Sequence, residues 1–244
     1  ITGKAQFKRE NLTVRGPIWG RTDMPQHAVK SKRKGDAKKM KEIENVVIVG
    51  LGALGLLFGN QIQNNLGTEH LCYLMDAGRK ARHSQDRYTI NGRETQFRLV
   101  SPDEIRAPAD LVIVATKYGG LLEARELIRP AVSDDTTIVS LLNGISSEQI
   151  LAESFPRRQI LDCVAIGMDA MRTGTALVYD HMGGWQIGAA VPGQEERLQS
   201  VAAFLDRAGI WHEVHEDIRR AMWNKYMINV GVNQTCTVYQ TDYE

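Results

Sequence analysis

Residues 45–59 read NVVIVGLGALGLLFG, and the fold turns on this stretch. Val46 to Val49 form an unbroken apolar, mostly β-branched run, which reads as a strand buried on both faces. Directly after it, Gly50-Leu51-Gly52-Ala53-Leu54-Gly55 places glycines at GxGxxG spacing, and an apolar helical pattern follows over 53–65. In such a turn Gly50 allows the tight bend, Gly52 lets a diphosphate approach the backbone and Gly55 allows helix and strand to pack closely. The anion rests on the helix N-terminus, where unpaired N–H groups and the helix dipole favour negative charge. A lone GxGxxG is a weak signal, and a tight structural turn is the alternative. A strand before it and a helix after it make residues 50–55 candidates for binding a dinucleotide.

Outward from this turn the same alternation continues. LCYLM (71–75), DLVIVAT (110–116) and TTIVSLL (136–142) read as further buried strands, with helices over about 119–130 and 146–154. Strands alternating with helical patterns predict an α/β, doubly wound parallel sheet of Rossmann type. YTINGRETQFRLV (88–100) carries an Asn-Gly turn between short alternating runs and predicts an inserted hairpin. ILDCVAIGMDAM, ALVYDH and WQIGAA read as antiparallel strands closing the domain, 193–208 as an amphipathic helix and IWHEVH (210–215) as a last strand.

Of 244 residues, 43% are hydrophobic and 24% charged, and 30 basic side chains balance 29 acidic ones to a net charge of +1. No global field favours nucleic acid or a membrane surface, and the apolar runs are too short to span a bilayer. Cys72, Cys163 and Cys236 form no CxxC pair, and no signal-peptide pattern is present, so a reducing cytoplasm is expected. His212 and His215 lack neighbouring ligands in a recognised metal-binding arrangement. Residues 1–43, with KSKRKGDAKKMK at 30–41, read as a solvated basic extension outside the core; an arm for nucleic acid or an acidic partner is the other reading.

Ligands of doubly wound sheets bind beyond the carboxyl ends of the strands, so polar residues there are candidates. After the second strand, Asp76 suits a ribose 2′-hydroxyl, which implies NAD, whereas Arg79, Lys80 and Arg82 suit the 2′-phosphate of NADP. Locally the two signals balance. Thr116 and Lys117 end the third strand, and Asn143-Gly144 ends the fourth, near where a nicotinamide belongs.

After Asp217 a helix is expected, carrying MWNKYMINVGVNQ at 222–234. Lys225, Asn229 and Asn233 fall at i, i+4 and i+8, a polar stripe inside an apolar helix. Hydride reduction of a ketone leaves an alkoxide, and a lysine ammonium offers both a proton and charge stabilisation. The asparagines can give and accept hydrogen bonds with a substrate bearing carboxylate and hydroxyl groups.

From about Val46 to Gln240 the sequence resembles the ketopantoate reductase (2-dehydropantoate 2-reductase) family, NADPH-dependent enzymes of pantothenate biosynthesis. The resemblance rests on GLGALG, ATK ending at Lys117, LLNGI around Asn143, IGAA after Trp185 and, most specifically, WNKYMINVGVN. It implies an N-terminal Rossmann domain (44–212) and the start of an all-helical C-terminal substrate and dimerisation domain (213–244). It implies NADPH as cofactor, with NADH still open, and a small 2-oxo acid as substrate. Lys225 is then the general acid, Asn229 and Asn233 contact the oxo acid, Asn143 lies between nicotinamide and substrate, and Lys117 lies beside the cofactor. Gly120 departs from the polar residue that members often carry three positions after the matched lysine. The family's later helices, with a catalytic glutamate and a substrate-binding serine, have no counterpart in the 244 residues, so cofactor binding with poor turnover is expected. The apolar side of the helix, with Trp223, Tyr226, Met227 and Val230, then packs elsewhere, pairs with a second copy or frays. A β-hydroxyacid dehydrogenase fits less well, since glycines usually precede its lysine. Reductases of other 2-oxo acids and a non-catalytic NAD(P)-binding regulator are the remaining readings.

Overall fold

The computed structural model describes residues 41–241. The strands are β1 (Val46–Val49), β2 (Leu71–Leu74), β3 (Tyr88–Ile90), β4 (Arg93–Thr95), β5 (Leu99–Val100), β6 (Leu111–Val114), β7 (Thr137–Ser140), β8 (Ile160–Ile166), β9 (Met171–Thr173), β10 (Ala176–Val178), β11 (Gly184–Gly188) and β12 (Trp211–Val214). The α-helices are α1 (Ala53–Leu66), α2 (Ala77–His83), α3 (Leu121–Leu127), α4 (Ser147–Ala152), α5 (Glu195–Arg207), α6 (Ile218–Ile228) and α7 (Gln234–Tyr239).

Alternation along β1 explains the layers. Val46 and Ile48 pack into one core with Leu56, Phe58 and Ile62 of α1 and Phe204 of α5, while Val47 and Val49 pack into a second with Leu121, Ala124 and Ile128 on the α3 side. A strand with both faces covered needs apolar residues at every position, which is what VVIV supplies. The main sheet has the order β12-β11-β8-β7-β6-β1-β2-β5. It is parallel from β5 through β8; β11 then pairs antiparallel to β8 and parallel to β12. Strand order reverses at β1, with β2 on one side and β6 on the other, so the crevice between the carboxyl ends of β1 and β6 is the switch point where ligands of such sheets bind.

Three details differ from the sequence reading. First, β8 continues the parallel series, with Ile138 opposite Ile160, because α4 carries the chain back across the sheet before β8 begins. Second, only 88–95 form the hairpin; Leu99-Val100 leave it and pair parallel to β2 at the sheet edge. Asn91 and Gly92 both have positive φ, 47° and 78°, as a two-residue hairpin turn of this hand requires, and that turn fixes where the pairing stops. Third, β10 pairs antiparallel with β9 but parallel with β3, giving a second sheet of order β4-β3-β10-β9.

At the start of the described chain, Ile43 is buried in the α1-side core and Lys41 pairs with Asp110 at 2.9 Å. Of the segment assigned by sequence to the basic extension, Ile43 is therefore packed, while Lys41 and Glu42 are exposed; the rest of that extension, 1–40, lies outside the described residues. Among the described residues no helix is long and apolar enough to cross a membrane.

Candidate active site

The three glycines of the turn are not equivalent. Gly50 ends β1 at φ +116°, and a Cβ there would lie 2.5 Å from the Ala115 carbonyl oxygen at the end of β6. A Cβ on Gly55 would lie 2.0 Å from the Gly50 carbonyl oxygen. The Gly55 carbonyl in turn accepts a 2.8 Å hydrogen bond from the buried Tyr73 hydroxyl, which closes the back of the turn. Gly50 and Gly55 are thus demanded by packing. Gly52 is not: its backbone is extended (φ −75°, ψ −176°), and its nearest neighbour would be 3.6 Å away. Gly52 is the N-cap of α1, and no side chain caps the helix. Every helix start leaves N–H groups without intrahelical partners. A glycine that the fold does not need, at an uncapped N-terminus on the switch point, fits a ligand that must approach the backbone. These residues therefore fit a dinucleotide's diphosphate.

Thr116 flanks the turn from β6. Its Oγ1 is buried without a hydrogen-bond partner, and its backbone N would be 2.9 Å from a Cβ on Gly50. Buried hydroxyls are almost always satisfied, so this one is a second polar atom at the crevice available to a ligand. Lys117 follows, exposed, at the start of the short turn Tyr118–Gly120.

Asp76, at the carboxyl end of β2, caps α2: its Oδ1 accepts the Arg79 backbone N–H at 2.8 Å. That bond, and then the nearby Arg79 and Arg82 charges, hold the Asp76 carboxyl below the usual carboxylate range. The Arg79 guanidinium is shared between Asp76 (3.3 Å) and Glu123 of α3 (2.8 Å), and Lys80 pairs with Glu104. Two of the three basic residues read from sequence as 2′-phosphate ligands are therefore neutralised by carboxylates in this structure.

Asn143 is exposed just beyond β7, followed by Gly144 at φ +108°. The next residue, Ile145, packs with Val164 of β8 and with Ile218 and Met222 of α6. The lysine-bearing helix is thereby docked beside the Asn143 loop. Asp217 caps α6 by accepting the Arg220 backbone N–H at 3.0 Å, which sets where the helix starts. The expected single helix is interrupted: Asn229–Asn233 form a π-helical turn between α6 and α7. Such turns insert a residue into the helical ladder and are frequent at functional sites. Asn229 and Asn233 are its first and last residues, and the Asn233 amide donates to Asn229 Oδ1 at 3.1 Å. Lys225 is instead turned onto the sheet, its Nζ donating to the Ala165 carbonyl of β8. Burial lowers its pKa from the ordinary lysine value. Among the described residues no hydrogen bond joins Lys225, Asn143 and Lys117; α6 and the Asn143 loop are brought together by apolar packing.

Beneath this region lies a group that the sequence reading missed. Glu148 of α4 is 5% exposed, and its carboxylate accepts from Ser147 Oγ at 3.1 Å. Burial, reinforced by the Asp162 charge, pushes its pKa from 4.5 to about 7. A carboxyl whose folded pKa exceeds its unfolded one destabilises the fold once it must ionise, with a cost that grows as pH rises through 4.5 and levels off above about 7. Glu148→Gln is expected to leave stability unchanged near pH 4 and to raise it by on the order of 2 kcal/mol at pH 8, measured by urea denaturation at the two pH values. An equal effect at both would show that the carboxyl does not titrate differently in the fold.

Residues 46–190 match the family model described as ApbA, ketopantoate reductase PanE/ApbA. The chain belongs to the ketopantoate reductase family. Among curated relatives, it is 30% identical over 217 residues to the 2-dehydropantoate 2-reductase of Halobacterium salinarum, covering 81% of this chain and 66% of that protein. To the 2-dehydropantoate 2-reductase of Streptococcus pyogenes serotype M3 it is 25% identical over 198 residues, covering 79% of this chain and 64% of that protein. The chain thus spans just under two thirds of the length of these relatives. A crystal structure of 2-dehydropantoate 2-reductase from Geobacter metallireducens superposes with a TM-score of 0.69 at 29% identity, covering 80% of this chain and 66% of that one. A D-mandelate dehydrogenase in complex with NADH superposes at a TM-score of 0.71 but 21% identity, a likeness of fold alone, over 81% of this chain and 64% of that one. The family model covers the glycine turn, Lys117 and Asn143, and it stops before α6.

Proposed function

We propose that this ketopantoate reductase family member reduces 2-dehydropantoate to pantoate with NADPH, a cytoplasmic step of pantothenate and coenzyme A biosynthesis. The observation that carries the reading is the glycine turn, where Gly52 is free of any packing demand at an uncapped helix N-terminus, within a chain whose curated relatives are named 2-dehydropantoate 2-reductase. Residues 44–212 serve as the cofactor domain and 213–244 as the start of a substrate domain through which two copies pair.

When bound, the nicotinamide supplies a hydride to the carbonyl carbon of the oxo acid. The backbone of Gly50, Leu51, Gly52, Ala53, Leu54 and Gly55 holds the diphosphate, with Asp76 and Arg79 at the adenosine ribose. Lys117 lies beside the cofactor, and Asn143 between the nicotinamide and the substrate. Lys225 donates a proton to the substrate oxygen as it gains the electron pair. Burial favours this, because an ammonium with a lowered pKa releases its proton more readily. Asn229 and Asn233 exchange their mutual hydrogen bond for bonds to the substrate's carboxylate and hydroxyl. For Arg79 to meet the 2′-phosphate of NADPH, it must leave Asp76 and Glu123.

The test follows NADPH and NADH oxidation with 2-dehydropantoate and a panel of other 2-oxo acids. The expected result is the highest kcat/KM for 2-dehydropantoate with NADPH. A higher value for another oxo acid would move the substrate assignment, and tight cofactor binding with no turnover of any oxo acid would leave a nucleotide-binding protein only.

A further inference from the structure

The second sheet reaches over the glycine turn at one point. Arg172 of β9 donates from Nη1 to the carbonyl of Leu51, the residue between Gly50 and Gly52, and from Nε to the Gly174 carbonyl at 2.8 Å. These two bonds brace the guanidinium between the β9–β10 turn and the candidate diphosphate site. The side chain is exposed, and among the described residues it has no carboxylate within ion-pair distance. Asp86 feels its charge, but that carboxylate is already engaged by His83 (2.7 Å) and the Tyr88 hydroxyl (3.1 Å). The contrast with Arg79 and Lys80, both paired with carboxylates, is informative. An arginine carries five N–H donors in a planar fork, and two of these are used here, leaving donors and an uncompensated positive charge at the lip of the turn. A guanidinium held in that position is suited to bidentate recognition of phosphate oxygens.

We propose that Arg172 binds the cofactor's diphosphate, reaching it from the β9–β10 hairpin. The proposal rests on the dinucleotide reading of the glycine turn and adds to it a ligand from outside the βαβ unit. It requires the β9–β10 hairpin to be part of the cofactor site.

The test titrates NADPH against the parent chain, Arg172→Gln and Arg172→Lys by the change in nicotinamide fluorescence, with competition by adenosine 2′-monophosphate, which lacks the diphosphate. The expected result is a Kd for NADPH raised about tenfold to a hundredfold in Arg172→Gln and less in Arg172→Lys, with a weaker dependence on salt. Affinity for adenosine 2′-monophosphate and the melting temperature are expected to stay unchanged. NADPH affinity equal to the parent's in Arg172→Gln overturns the proposal while leaving the dinucleotide reading intact. Equal losses for both ligands overturn it too, because they put Arg172 at the 2′-phosphate or in a purely structural role. Failure of the parent chain to bind either NADPH or NADH removes the dinucleotide reading itself, and this proposal with it.

Discussion

Lys225→Met is expected to lower oxo-acid-dependent NADPH oxidation by about a hundredfold to a thousandfold relative to the parent chain, the usual consequence of removing one preorganised donor to a developing oxyanion. The same substitution is expected to leave the melting temperature unchanged or higher. Burial lowers the Lys225 pKa, so in the range between its folded and unfolded values the unfolded chain binds more protons. The ammonium therefore opposes folding at neutral pH, and this opposition fades as pH rises through the folded pKa. Methionine removes the charge and keeps a stem of similar volume, at the loss of one hydrogen bond to the Ala165 carbonyl. Activity and stability moving in opposite directions is the signature of a group kept for chemistry. Turnover retained in Lys225→Met would remove this residue from the reaction. Loss of turnover together with a large drop in melting temperature and in NADPH binding would make it a structural tie between α6 and β8.

Gly55→Ala is expected to cost at least about 4 kcal/mol, enough to leave little of a typical domain's stability. The added Cβ would lie 2.0 Å from the Gly50 carbonyl oxygen, backbone that cannot yield without opening the turn and displacing β1 from α1. Gly50→Ala is expected to be comparably severe, since it combines a 2.5 Å approach to Ala115 with φ +116°. Urea denaturation of both variants provides the check. Parent-like stability in Gly55→Ala would mean that the turn is looser than its geometry indicates.

These glycines also show how far the sequence could be read. GxGxxG after an apolar run and before a helix was enough to place the switch point, because the turn's requirements are local: a positive φ, a close helix approach and an uncapped N-terminus. Sequence could not separate Gly52 from Gly50, since the collision that a Cβ on Gly50 would meet is with Ala115, sixty-odd residues away in the chain. The hairpin turn at Asn91-Gly92 was legible for the same local reason. The partners of β10 and β5 were not, because short edge strands choose neighbours through tertiary packing rather than pattern. The stripe of Lys225, Asn229 and Asn233 was legible as spacing, but its geometry was not. The π-turn breaks the regular helical repeat after Ile228, and the lysine's contact lies on a strand sixty residues earlier. Glu148 gave no signal, because an acid at a helix start normally reads as a favourable surface charge. Its burial comes from the packing of α4 against the sheet, which no local pattern encodes.

The central claim, that the β1–α1 turn holds the diphosphate of a nicotinamide cofactor, is tested most directly by titrating NADPH against the parent chain and against Gly52→Val. Valine suits the extended backbone at this position, and its Cβ would meet nothing closer than 3.6 Å, so the variant is expected to fold with a melting temperature within a few degrees of the parent. Its branched side chain would fill the approach to the helix N-terminus, and a loss of NADPH affinity of at least about a hundredfold is expected. A folded Gly52→Val chain that binds NADPH as tightly as the parent would contradict the account.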